Sequence, residues 1–253
     1  MLRDTIVRHY DHDPHFRWRG ENVTRIENLS DIVFAIAFGM LVSASSPPTN
    51  YNELLGHLWQ IVPVIAGFSI LVMIWNSHFV FFRRYNIADR WIIFLNAILL
   101  LIVLFIAYPL RFIFDGLFGY VLGALLGDWS RMIETGMGFA QSGNIVGIFA
   151  IGYACVFLVT AGMYGHALRK KDALDLNANE IALTRRSVWH LIVSLSLCIL
   201  VAITALMTSI GPYAACILSL SALTGRILRR KFPVSETTED QVSVETSSHD
   251  WSI

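Results

Sequence analysis

One apolar stretch of this chain begins with side chains that could do acid–base or ion-binding chemistry. The stretch reads RIENLSDIVFAIAFGMLV over residues 25–42, and Asp31 stands where the lipid-soluble part starts. A carboxylate is costly to bury in a membrane, so such a residue normally faces protein or water and marks function or helix packing. An aspartate in this position could bind a cation, take part in proton transfer or hold helices together.

Potential hydrogen-bond donors to Asp31 occur close by and in two later apolar segments. Trp75 and His78 are three residues apart and therefore share one helix face, Asn96 follows in the next segment, and Ser30 precedes Asp31 directly. All of these side chains can donate a hydrogen bond to a carboxylate. The residues alone leave two interpretations open: a cluster that only packs three helices together, or an Asp31–His78 proton relay or ion-binding site.

The composition indicates which elements must position these groups. Hydrophobic residues make up 55% of the 253 residues and charged residues only 15%, and the mean hydropathy is +0.56. Such a chain is too apolar for a soluble domain and is typical of a multispan membrane protein. The formal net charge is zero, so no basic bias favours nucleic acid as a partner.

Six apolar segments are predicted to span the membrane as helices, which requires roughly 17–25 residues each. They are residues 30–45, 58–82, 91–108, 145–167, 188–207 and 212–228. Pro47 and Pro48 should end the first segment, because proline donates no backbone hydrogen bond. Residues 109–140 form a long connection, for which an interfacial helix and an extension of the third span remain open.

The positive charges predict the orientation. Of the 19 Lys and Arg residues, all but Arg111 and Arg131 fall in the N-terminal segment, the second-to-third loop, the fourth-to-fifth loop or the tail. The positive-inside rule therefore places both termini in the cytoplasm. Ser30, Asp31 and the polar residues of the next two spans then share one layer near the cytoplasmic side. The predicted organisation is a cytoplasmic N-terminal segment, a transmembrane domain and a disordered polar tail, over residues 1–24, 25–231 and 232–253.

Other polar and sulfur-containing residues give weaker signals. Three histidines in the polar N-terminal segment have a metal-like spacing, but we expect them to be solvated; they are His9, His12 and His15. The three cysteines lie in apolar runs at unrelated spacings and are predicted to be core residues; they are Cys155, Cys198 and Cys216. Basic pairs such as Arg83 and Arg84 are expected to face anionic lipid headgroups. We therefore predict neither a metal site nor a disulfide.

An apolar stripe follows Asp31 on the same segment. Ile32, Ile36, Met40 and Ser43 recur at intervals of four, four and three residues, which places them on one side of a helix. The opposite side is also apolar. Periodicity alone therefore leaves a pore lining and a packing seam equally open.

The order R-x-x-x-L-S-D over residues 25–31 resembles the R-x-x-x-F-S-D motif of the transmembrane-175 family of potassium channels, with Leu29 in place of phenylalanine. The likeness continues in a W-x-x-H pair, Trp75 and His78, and in Asn96 of an L-N pair. It covers roughly residues 24–230.

The resemblance implies an all-α membrane protein with six transmembrane helices per subunit. Family members of this kind form a homotetramer in the cell membrane, with the first helix of each subunit lining a central pore. A potassium-selective channel without catalytic activity or a cofactor is expected, with potassium ions and membrane lipid as its partners. The chain has no TVGYG-type filter sequence, so selectivity would not come from a ring of backbone carbonyls.

The resemblance also assigns roles to individual residues. Ile36, five residues after the motif aspartate, would form the pore constriction. Other pore-lining positions would be Ile32, Gly39, Met40 and Ser43. A polar network bracing the pore helix would comprise Arg25, Ser30, Asp31, Trp75, His78 and Asn96. Many relatives have threonine where this chain has Gly39, and some have leucine where it has Ser43, so the pore beyond Ile36 should be wider and wetter.

Two alternatives belong to other functional classes. A proton-coupled secondary transporter would use Asp31 and His78 to carry protons. A membrane enzyme would need acid–base residues on the outer side, but no motif unites the candidates, which are Glu53, His57, Asp115 and Asp128.

Overall fold

A computed structural model shows the chain to be all-helical in the part it describes, which confirms the predicted α class. The described residues are 16–20, 22–43, 48–51, 54–55, 58, 61–127, 129, 136, 138–208, 211–221, 227–228 and 231. The helices are α1 (Arg25–Ser43), α2 (Ile61–Tyr85), α3 (Arg90–Leu126), α4 (Phe139–Arg169), α5 (Ala178–Met207) and a 3-10 helix (Gly211–Leu220). Predictions for the N-terminal histidines, Glu53, His57, Asp128 and the 232–253 tail lie outside the described residues, as does the side chain of Cys216.

Four of these helices, α2 to α5, are long and apolar enough to cross a membrane. Helix α1 has 19 residues and carries Arg25, Glu27 and Asp31 in its first two turns, and it is not among these four. The sixth predicted segment contains a 3-10 helix of 10 residues, which at about 2.0 Å per residue is roughly 20 Å long. The described structure thus contains four clearly membrane-capable helices where the sequence predicts six spans.

Helix α3 is much longer than the predicted third span. It has 37 residues and continues through Pro109 to Leu126, which corresponds to roughly 55 Å at 1.5 Å per residue. The hydrocarbon core of a bilayer is about 30 Å thick. Of the two possibilities for residues 109–140, the extension of the third span is therefore the one found as far as Leu126. The helix ends at Gly127, whose φ of +73° is favourable for glycine.

Helix α5 begins ten residues before the apolar segment predicted at residue 188. Its start is set by a capping box, in which the Asn177 side chain accepts from the Glu180 amide and the Glu180 side chain accepts from the Asn177 amide. A capping box satisfies amides that a helix start would otherwise leave without partners. The length of the apolar run underestimates the length of α5, because the first turns of this helix are polar.

The start of α3 is joined to the end of α4 by a three-residue cluster. Asp89 caps α3 by accepting from the Ile92 amide at 2.9 Å, and its other oxygen lies 2.6 Å from both His166 Nε2 and Lys170 Nζ. Burial alone would raise the pKa of Asp89, but the hydrogen bonds from Lys170, Ile92 and His166 outweigh it and hold that pKa well below its usual range.

Asp89→Asn is therefore expected to lower the thermal stability of the protein near neutral pH. A depressed carboxyl pKa contributes stability above the unfolded value, about 3.9, and loses it as pH falls through the folded value. The stability difference between wild type and Asp89→Asn should shrink when the pH is lowered below about 4. Melting curves of both proteins from pH 7 to pH 3 measure this difference, and a difference independent of pH would contradict the charge assignment.

Helix α1 packs its buried side against α2 and α3. Phe34, Ala37 and Leu41 are at most 1% exposed and recur at intervals of three and four, as expected for one helix face. A Cβ added to Gly67 of α2 would lie 3.0 Å from Leu41 Cδ1, so the two helices approach closely there. Helices α4 and α5 pack against each other and against the 3-10 helix.

Candidate functional site on the first helix

Three buried side chains connect α1, α2 and α3 in a hydrogen-bonded chain. His78 Nε2 lies 2.8 Å from Asn96 Oδ1, Asn96 Nδ2 donates to Ser30 Oγ at 3.0 Å, and Ser30 Oγ donates to Ile26 O at 2.8 Å. Because an amide oxygen only accepts, His78 Nε2 must carry the proton. This series of hydrogen bonds runs from His78 of α2 through Asn96 of α3 to Ser30 of α1, and it ends on the carbonyl oxygen of Ile26.

Asp31 stands apart from this chain. Its side chain is exposed, and Oδ1 accepts from Trp75 Nε1 at 2.8 Å. Consecutive helical residues point about 100° apart, so Ser30 is turned into the bundle while Asp31 lies at its side. The structure thus divides the predicted cluster in two, and the hydrogen bonds expected from His78 and Asn96 to Asp31 are not formed. Since no hydrogen bond joins Asp31 to His78 among the described residues, the geometry gives no support to a relay between them.

Arg25 was predicted to belong to the same network, but the structure places it elsewhere. It is exposed, and within the described part of the chain no hydrogen bond connects it to the other predicted members. It lies on the side of α1 that carries Leu29, Ile32 and Ile36, at intervals of four, three and four residues.

Sequence reasoning missed the buried acidic residue at the start of α1. Glu27 is 6% exposed; its Oε2 accepts from the Thr24 amide at 2.6 Å, and Thr24 Oγ1 accepts from the Glu27 amide at 3.3 Å. The T-x-x-E pattern at residues 24–27 is the usual capping-box signature and could have revealed this pair. Arg83 lies 3.7 Å from Glu27 Oε1 and so faces the protein rather than the lipid headgroups that the sequence predicted.

The side of α1 opposite its buried face is an uncovered apolar stripe. Ile32 and Ile36 are 59% and 51% exposed, and a Cβ added to Gly39 would meet no atom within 4 Å. Met40 is half-buried at the margin. The side chain of Ser43 lies outside the described residues. Within one subunit nothing described covers this stripe, and an apolar face of this kind normally contacts protein or membrane.

The far end of α1 is attached to α3. Arg111 Nη1 donates to Val42 O at 3.1 Å. The last carbonyls of a helix have no partner within the helix and carry the negative end of its dipole, so a cation there is favourable. Helix α1 is therefore held at its last turn by α3 and near its first turn by the polar contacts described above.

These features define a multi-pass helical membrane protein with a polar network at one end of a short, partly uncovered helix. A family model described as the endosomal/lysosomal potassium channel TMEM175 matches residues 25–107. A potassium channel of Marivirga tractuosa is 33% identical over 205 residues, which are 79% of this chain and 81% of the relative.

A solved structure shows the same fold. It is a crystal structure of a variant of the potassium channel MtTMEM175 in complex with a nanobody–MBP fusion protein, with a TM-score of 0.75 and 30% sequence identity, and the match covers 86% of this chain and 97% of that one. The chain belongs to the TMEM175 family of potassium channels. The resemblance recognised in the R-x-x-x-L-S-D segment is thereby confirmed, and these relatives are channels rather than enzymes.

Proposed function

We propose that this protein is a potassium-selective channel in the cell membrane, formed by four identical subunits of six membrane segments each. Both termini lie in the cytoplasm, residues 25–231 form the channel domain, and no cofactor is required. The observation that carries the proposal is the uncovered stripe of α1, because four such stripes facing a common axis would line a path for ions. The Marivirga tractuosa relative, itself a potassium channel, supports potassium as the permeant ion.

Ile36 forms the constriction in this proposal. Four isoleucine side chains around the axis make a short apolar section, which stops ions when it dewets and passes them when it widens. Ile32 precedes it, and Met40 and Ser43 follow it along the pore. The exposure of Ile36 and the open space around Gly39 support this assignment, since a residue without a side chain leaves a wider section directly beyond the constriction.

The polar contacts brace the pore helix. Ser30, Asn96 and His78 fix the buried side of α1 to its two neighbours, and the Asp31–Trp75 bond fixes its flank.

A double-mutant cycle tests the bond between Asp31 and Trp75. Asp31→Ala and Trp75→Phe should each lower the stability of the assembled protein, with a coupling of about 1 kcal/mol. Asp31→Asn, which keeps an accepting oxygen, should behave almost like wild type, and strictly additive losses would show that the bond does not stabilise the fold.

Planar-bilayer recordings of the purified full chain under a potassium/sodium gradient test the proposed function. Unitary current steps that reverse near the potassium equilibrium potential are expected. Saturable uptake driven by a pH gradient, without current steps, would instead indicate a proton-coupled transporter.

A further inference from the structure

Residues 16–20, here called the N-terminal strap, pack between the end of α2 and the start of α5. Phe16 is 4% exposed; its ring lies 5.4 Å from the ring of Tyr85, and the guanidinium group of Arg84 lies 4.8 Å from its centroid. The rings of Trp18 and Phe79 are nearly perpendicular, with centroids 6.1 Å apart. Residues 16–20 are therefore part of the folded bundle.

Arg19 fastens the strap to α5. Its Nη1 and Nη2 donate to the two carboxylate oxygens of Glu180 at 2.9 and 2.8 Å, and its Nε and Nη2 donate to the carbonyls of Leu174 and Asp175 at 3.0 Å each. The planar fork of arginine matches a carboxylate in this two-bond geometry, which lysine does not reproduce.

The carboxylate of Glu180 depends on the strap. Glu180 is 1% exposed and, besides Arg19, accepts from the Arg17 amide at 2.9 Å and the Asn177 amide at 3.0 Å. Removing the partner of a buried charge is strongly destabilising, so loss of the Arg19 side chain is expected to release this end of the strap.

The strap both donates hydrogen bonds to the last turns of α2 and accepts one from them. The amides of Arg19 and Gly20 donate to Arg83 O at 3.0 and 3.1 Å, and Arg83 Nη1 donates to Gly20 O at 2.7 Å. A Cβ added to Gly20 would lie 2.9 Å from Phe82 O and 3.2 Å from the Arg83 Cα. Both are backbone atoms that cannot move aside readily, so this close approach requires glycine.

The same guanidinium group reaches α1. Arg83 Nη2 lies 3.7 Å from Glu27 Oε1, and Glu27 closes the capping box that starts α1. Contacts therefore run without a break from Glu180 of α5 through the strap and Arg83 of α2 to the first turn of α1.

We propose that Arg19 is a positioning residue for α1. By holding the strap on Glu180 it orients Arg83 toward Glu27, and this fixes the direction in which α1 leaves the strap. The effect on ion current rests on the function proposed above, whereas the effect on the first turn of α1 does not.

Hydrogen exchange of the full chain in nanodiscs tests the structural half of this proposal. Arg19→Gln and Glu180→Gln should each raise the exchange rates of the amides in residues 27–31 by about tenfold. The exchange rates of the double variant should equal those of the single variants, because all three proteins lose the Arg19–Glu180 ion pair. Gly20→Ala should have the same effect without removing any charge, and Arg19→Lys should fall between wild type and Arg19→Gln.

Asp89→Asn is the matched control, because it breaks the link between α3 and α4 without touching the strap. It should lower the melting temperature and leave exchange in residues 27–31 unchanged. If Arg19→Gln leaves that exchange at the wild-type rate, or if Asp89→Asn raises it equally, the positioning role is refuted. Should Arg19→Gln fail to fold, Gly20→Ala and Arg19→Lys decide the same question.

Single-channel recording tests the functional half. The strap variants should alter open probability and leave unit conductance unchanged, because Arg19 is bound to α5 and its loop rather than to the uncovered stripe. Asp89→Asn should keep the wild-type open probability. Unaltered open probability in all strap variants would refute the effect on current. Absence of potassium current in the wild type would refute the proposed function, while the exchange rates would still decide whether Arg19 positions α1.

Discussion

Ile36→Asn is expected to make the protein leak potassium continuously. In the proposed tetramer the substitution replaces four apolar side chains at the narrowest section by amides that hydrogen-bond water, so the section no longer dewets. Lowering the free-energy barrier to ion passage by about 1.4 kcal/mol raises the rate of passage about tenfold. We therefore expect the potassium flux to increase about tenfold or more. Potassium flux into liposomes reconstituted with the purified variant measures this increase.

Two substitutions serve as controls for this result. Ile36→Leu keeps a bulky aliphatic side chain and should retain the low basal flux. Ala35→Asn introduces the same amide one position earlier, where the side chain points about 100° away, and it should raise the flux much less. Equal leak through Ile36→Asn and Ala35→Asn, or wild-type flux through Ile36→Asn, would refute the constriction.

Asn96→Ala is expected to cause the largest loss of stability among the three residues of the His78–Asn96–Ser30 series, because Asn96 alone bonds both of the others. Asn96 is 2% exposed and is the central member of the His78–Asn96–Ser30 chain, so its removal leaves a buried imidazole N–H and a buried hydroxyl without that partner. An unsatisfied buried polar group costs about 1–3 kcal/mol, although measured side-chain hydrogen bonds between membrane helices average about 0.6 kcal/mol. A loss of about 2 kcal/mol is expected in denaturation of the assembled protein.

Asn76→Ala is the matched control for that experiment. Asn76 is an asparagine of α2 that is exposed and takes part in no hydrogen bond in the part of the chain described, so the same change should cost less than about 0.5 kcal/mol. Equal losses at the two positions would show that the buried chain does not brace α1.

Local signals in the sequence account for much of what it predicts correctly. The motif around Asp31 identifies the family because several of the motif residues stand close together in one segment. The T-x-x-E pattern at residues 24–27 and the N-x-x-E pattern at residues 177–180 are equally local signals of a helix start, but neither start was predicted from them. Long apolar runs locate α2, α4 and α5, although these helices extend into polar residues that the runs do not include.

Features that depend on packing could not be predicted in this way. Ser30 and Asp31 are neighbours in sequence, and only the rotation of α1 against α2 and α3 decides that one is buried and the other bonds Trp75 at the flank. Arg19 and Glu180 are separated by 161 residues, so no local pattern reveals their pairing. Helix α3 continues through Pro109, although proline removes a backbone donor and usually ends or kinks a helix.

The attachment of Arg111 to the last turn of α1 limits how that helix can move. With Val42 held at one end and Glu27 at the other, neither end is free to swing outward as a rigid lever. Widening of the proposed pore would then have to come from bending or axial twisting of the turns between Glu27 and Val42. Gly39 lies within this stretch, one turn before Val42, and glycine resists bending less than other residues. The two attachments therefore favour bending of α1 over rotation of the whole helix about one end.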